Sequence, residues 1–156
     1  MAKRRKRGMK AEDLYKFQLI GACEISPDGD HVVYSLQRVD RKTEKKYSNL
    51  WVVDTRGGGP RQFTHGDHVD AQPKWSPDGK RIAFVSNRNG IDNIYVYYID
   101  SARVIGVTNS LTNAKSPTWS PACWRPYRTK VRGAQVKALE ARTDNGALIA
   151  PTRMTP

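Results

Sequence analysis

The chain has 156 residues, 38% of them hydrophobic, which suits one ordinary domain with a modest core. Its formal charge of +12 sits at the ends: residues 1–10 hold six Lys or Arg and no acid, residues 122–156 hold seven against two, and residues 11–121 hold fourteen against thirteen. A domain with one basic face for nucleic acid is therefore not indicated, and no run of eighteen apolar residues offers a membrane span.

The opening "MAKRRKRGMK" reads as a solvated basic tail, and nuclear targeting or non-specific contact with nucleic acid is the alternative. It lacks the apolar stretch of a signal peptide. Met9 is an alternative start. Cys23 and Cys123 have no metal-like spacing, so a buried free thiol in a reducing cytoplasm is expected rather than a bridge.

From about residue 20 the chain repeats itself. "ISPDGDHVVYSLQR" (25–38) returns as "WSPDGKRIAFVSNR" (75–88). Asn49-Leu50-Trp51-Val52 matches Asn93-Ile94-Tyr95-Val96, Thr64 matches Thr108, and Trp75-Ser76-Pro77 matches Trp119-Ser120-Pro121, each pair 44 residues apart. The Ser-Pro-Asp-Gly copies are 50 apart because the first repeat carries the polar insertion "VDRKTEKKY". Such a period with several strands per unit belongs to propellers. Ser-Pro-Asp-Gly is a turn: proline presets φ, aspartate bonds to the backbone nearby, and glycine closes without a Cβ clash.

The first repeat predicts strands at "ACEIS", "HVVYSLQ", "NLWVVD" and "RQFT". The second predicts a short strand ending in Trp75, then "RIAFVS", "NIYVYYI" and "RVIGVT". "IAFV", "LWVV" and "IYVYYI" are apolar at consecutive positions, so both faces of each sheet need cover. No amphipathic helices lie between the strands, which leaves other sheets of the same kind. The expected fold is all-β: an incomplete β-propeller of two four-stranded blades, about residues 20–65 and 72–109, plus the first strand of a third, about 116–121. Two blades cannot close a ring, so self-association or a partner protein at the open faces is expected.

After Pro121 the repeat pattern is expected to stop, by frameshift, truncation or a faulty gene boundary. Residues 122–156 read as a basic irregular tail, with a short helix at "AQVKALEAR" carrying only a thin apolar stripe, Val136 and Leu139.

The stretch from about Met9 to Pro121 resembles the N-terminal β-propeller of the prolyl oligopeptidase family of serine peptidases, in its acylaminoacyl-peptidase and dipeptidyl-peptidase-like branch. "AEDLYKFQLIGACEISPDGDHVVYS", "NLWVVDTRGGGPRQFTHG" and "PKWSPDGKRIAFVSNRNGIDNIYVYYID" carry the resemblance. The propeller of the periplasmic protein TolB looks similar. The resemblance implies a propeller that restricts which peptides reach a separate hydrolase domain. It transfers no catalytic residue: no Gly-x-Ser-x-Gly elbow occurs, and the histidines, His31, His65 and His68, all sit in the repeats. A TolB-like interaction scaffold is the alternative.

"THGDHVD" groups His65, Asp67, His68 and Asp70, residues with metal-ligand chemistry. Its counterpart, Thr108-Asn109-Ser110, has none, so the segment reads as a loop between blades. "TRGGGPR" lacks the P-loop and dinucleotide patterns and reads as a hairpin turn. Ile25, Trp75 and Trp119 hold equivalent places, which favours blade-to-blade packing over a stacking platform; Arg38 and Arg88 recur after the second strand of each blade. No catalytic, cofactor-binding or metal-binding residue is assigned.

Overall fold

In the computed structural model, which describes residues 8–119, 139–143 and 148–149, the strands follow one another as up-and-down meanders. A 3-10 turn, Ala11–Lys16, leads in. The first sheet holds β1 (Leu19–Ile25), β2 (His31–Val39), β3 (Lys46–Asp54) and β4 (Arg61–Gln62), adjacent in that order. The second repeats the plan with β5 (Asp70–Trp75), β6 (Arg81–Ser86), β7 (Asn93–Tyr98) and β8 (Arg103–Gly106). The third starts with β9 (Ala114–Trp119). The fold is an unclosed, propeller-like stack of antiparallel sheets.

Equal sequence produces equal geometry in the two full blades. At both Ser-Pro-Asp-Gly turns the serine hydroxyl donates to the aspartate, Ser26 to Asp28 and Ser76 to Asp78 (2.6 Å), and accepts the amide opening the next strand, from His31 and Arg81, each at 2.9 Å. Gly29 and Gly79 stand at φ of 78° and 67°, the left-handed region where a Cβ is strained. The Thr64 and Thr108 hydroxyls accept the amides of Leu50 and Ile94, both at 2.9 Å. Each threonine thus pins the end of its blade to the third strand.

The second sheet shows why consecutive apolar residues were needed. Successive side chains of a strand face opposite ways. Ile82 and Phe84 join Tyr95 and Tyr97 on one face, packed against Val33, Leu50 and Val52 of the first sheet. Ala83 and Val85 join Ile94 and Val96 on the other, packed with Val107, Ala114 and the ring of Trp119. Both faces are dry because each has a neighbouring blade.

The first sheet has such a neighbour on one face alone among the described residues. Trp75 packs into the first interface and Trp119 into the second, but Ile25, their equivalent, is 57% exposed and Ile20 66%. Blade-to-blade packing is thus found for the two tryptophans and not for Ile25. The expectation of a buried thiol is also corrected for Cys23, which is free and exposed beside Tyr34 on that open side. Cys123 lies outside the described residues.

The insertion does not form a loose loop. β2 and β3 have nine residues each where β6 and β7 have six, so the six extra residues are shared equally between the two strands. They add the rungs Gln37↔Ser48, Arg38↔Tyr47 and Val39↔Lys46, and the first hairpin overhangs its neighbour.

The third sheet is larger than its expected single strand. β10 (Leu139–Thr143) pairs with β9, and β11 (Leu148–Ile149) pairs with β10, within the stretch read as an irregular tail. The helix expected at "AQVKALEAR" is strand over Leu139–Arg142, and the start of that segment lies outside the described residues. The edge of β9 offers a ladder of unpaired backbone groups, which outweighs a thin helical stripe. The sequence between β10 and β11 contains Asn145-Gly146, a hairpin dipeptide. The N-terminal basic run also lies outside the described residues, apart from Gly8–Lys10.

Candidate functional site: a basic cup between two blades

The overhanging hairpin forms one wall of a cup of about 400 Å³ where the first two sheets meet. Lys45, Lys46 and Tyr47 line that wall, Asp67 and His68 come from the link between the blades, and Arg88 comes from the turn after β6. The link is laced to both sheets. The Ser48 amide donates to the His68 carbonyl (3.1 Å) and the Ser48 hydroxyl to the Asp70 carbonyl (2.7 Å). On the other side the Val69 amide donates to Asn87 Oδ1 (2.7 Å). The floor is thus held in place before any ligand arrives.

Arg88 is the most constrained cation in the cup. Its Nη2 donates to Asp70 Oδ1 (3.1 Å) and its Nε to the Ser86 hydroxyl (3.0 Å). The guanidinium carbon lies 4.6 Å from the Tyr95 ring centre and 5.4 Å from that of Phe84. Burial pushes the Tyr95 phenol up, against the opposing pull of Arg88, so the ring stays neutral beneath the cation. Asp70 is fully buried, and its second oxygen faces His68 Nε2 at 3.3 Å. The Arg88 guanidinium thus meets this buried acid directly.

Gly66 makes room for the His68 ring. A Cβ there would stand 2.5 Å from His68 Cε1, and φ of 114° suits glycine. Arg38, on the added rungs, pairs with Asp67 and lies 5.1 Å from the Tyr47 ring centre.

The structure therefore gathers Asp67, His68, Asp70 and both recurring arginines, while His65 is exposed outside the cluster and His31 stands at the opposite end of β2. Among the described residues no three His, Cys, Asp or Glu side chains converge as metal ligands. His68 and Asp70 have the spacing of a base and its orienting acid, and among the described residues no hydroxyl or thiol is hydrogen-bonded to His68. The chemistry at hand is electrostatic. Lys45, Lys46 and Tyr47 escaped the sequence reading; the signal was the insertion itself, which places them above the next blade.

Three comparisons bear on these features. Residues 10–151 match the family of the TolB beta propeller domain (PD40), so the match runs past Pro121, where the pattern was expected to stop. The chain is 29% identical over 117 residues to the uncharacterized peptidase YuxL of Bacillus subtilis, covering 74% of this chain and 18% of that protein. It is 40% identical over 71 residues to dipeptidyl-peptidase 5 of Porphyromonas gingivalis, covering 46% and 10%. Among solved structures, the acylaminoacyl peptidase of Pyrococcus horikoshii superposes with a TM-score of 0.57 at 22% identity, over 69% of this chain and 16% of that one. That likeness speaks for the fold. The chain spans less than a fifth of these proteins.

Proposed function

The chain belongs to the TolB beta propeller domain family, and from that premise we propose that it is the non-catalytic propeller part of a serine peptidase of the prolyl oligopeptidase family. Its blades restrict which peptides reach a hydrolase domain lying outside these 156 residues. The observation that carries this reading is the 40% identity over 71 residues with a dipeptidyl-peptidase. A reducing cytoplasm is the proposed compartment, because an exposed free thiol such as Cys23 persists there.

A chimera tests the gate. Residues 9–119 replace the matching stretch of the Bacillus relative, and turnover of short and long peptides is compared with the parent and with a variant lacking those blades. The ratio of short to long turnover is expected to stay near the parent's in the chimera and to collapse in the deletion. A cooperatively folded chimera that behaves like the deletion overturns the reading. The purified chain alone is expected to leave dipeptidyl and acyl-aminoacyl fluorogenic substrates intact.

A second reading, a TolB-like scaffold for another protein, is favoured by the exposed Ile20 and Ile25 on the open face of the first sheet. Cross-linking from Cys23 separates the two: a scaffold yields one defined heterologous partner, and a gate yields none beyond its own hydrolase domain.

A further inference from the structure

We propose that the cup between the first two blades is a binding site for a carboxylate carried on a short peptide, either an acidic side chain or a free C-terminus. The proposal goes beyond the gating reading and does not need it. A chain that binds such peptides without gating keeps the site, and one that gates without binding them loses it.

Charge is the first argument. Lys45, Lys46 and Arg88 line the cup against a single lining acid, Asp67. Asp67 is already taken by Arg38, and the buried Asp70 by Arg88. The acids at the hairpin tip are also engaged: Asp40 accepts from Thr43 (2.9 Å) and Glu44 from the Tyr15 hydroxyl (3.4 Å). Among the described residues neither lysine ammonium meets an acid. The cup thus presents two lysines with no acid partner among the described residues, beside an arginine paired with the buried Asp70, and a concave wall focuses the lysines' field.

Geometry is the second argument. Arg88 is held by Asp70, Ser86 and two aromatic rings, and its side chain is 22% exposed. Its Nη1 has no hydrogen-bond partner among the described residues. With Nε held by Ser86 and Nη2 by Asp70 and close to His68, Nη1 is the donor left to give a carboxylate oxygen a charge-assisted hydrogen bond. The lysines stand on the wall across from it.

Size is the third. A cup of about 400 Å³ lies in the range of roughly 300–1,000 Å³ typical of organic ligands, more than a bare inorganic anion fills. The Tyr47 ring gives the wall an apolar part for the carrier. The contrast with the second blade agrees: its shorter β6–β7 hairpin lacks the added rungs.

Calorimetric titration tests this with three probes: Ac-Ala-Ala-Asp, its neutral Asn-amide analogue, and inorganic phosphate. The acidic peptide is expected to bind about tenfold tighter than the neutral analogue, and to weaken as salt rises from about 50 to 300 mM. K45Q/K46Q changes exposed side chains alone and is expected to lose about five- to tenfold. R88Q is expected to lose about tenfold or more. Because Arg88 also supports Asp70, R88Q is read only where its melt stays cooperative; K45Q/K46Q decides otherwise. Equal binding of the neutral analogue, or an unchanged affinity in K45Q/K46Q, overturns the proposal. Phosphate binding as tightly as the acidic peptide overturns the peptide assignment and makes the cup a free-anion site.

Discussion

Asp78 concentrates the repeat's local chemistry in one side chain. Burial works to raise its pKa, but hydrogen bonds from Ser76, Arg81 and the Lys80 amide prevail and hold it at about 2. A carboxyl lowered in the folded state contributes stability above its unfolded pKa, near 4, and loses it as the pH falls toward 2. Asp78 is exposed, so solvent screens part of that contribution, and D78N is expected to cost about 1 kcal/mol in urea unfolding at pH 7, with the gap to the parent closing toward pH 2. An equal cost at both pH values would tie the loss to packing instead. Ala102, in the turn between β7 and β8, lies at φ of 52° with a Cβ that the left-handed region disfavours. A102G is expected to stabilise by about 0.5–1 kcal/mol in the same assay. At this scale the sequence was highly legible. Ser-Pro-Asp-Gly announces its turn because its hydrogen bonds join residues close together in the chain. Gln72 and Ser116 were not legible. Both take positive φ at matching places in β5 and β9, and the Gln72 side chain accepts the Ser116 amide at 2.8 Å. Nothing in either residue type signals that bulge.

Strands show how burial depends on what lies beyond the sheet. Phe84 is sealed between the first two blades, and F84A is expected to cost about 3–5 kcal/mol from the cavity it leaves. Ile25 has the same kind of side chain at a blade face, yet I25S is expected to change the melt by less than about 0.5 kcal/mol. Denaturant midpoints of the two variants check the contrast; equal losses would mean that something covers the first sheet's open face. Consecutive apolar residues in "IAFV" revealed that two faces need cover, but not which blade lacks a neighbour. The cup was harder to read. Its walls come from residues that meet because two sheets stack, and the insertion looked like a polar loop until its ladder of rungs was seen. β10 and β11 were hidden for a related reason: their pairing depends on the edge of β9 and not on their own alternation.

Among the described residues, the stack of sheets has one side that no neighbouring sheet covers. Ile20 and Ile25 are exposed near Cys23 on that side, and light scattering is expected to show mass rising with concentration. I20S/I25S is expected to suppress that rise without shifting the melting temperature. A double variant that associates as strongly as the parent would place the contact elsewhere. The meander order of each sheet has another consequence, for synthesis. Within each of the first two sheets the strands pair in chain order, so those hairpins close over short loops and the entropy of closure stays small. The first blade can zip up as soon as its own residues leave the ribosome. Its Val33 and Leu50 side must then wait in water until Ile82, Phe84 and Tyr95 have been translated. Slow codons between the repeats would lengthen that wait, and a chaperone that grips bare β-surface would find its widest opening there.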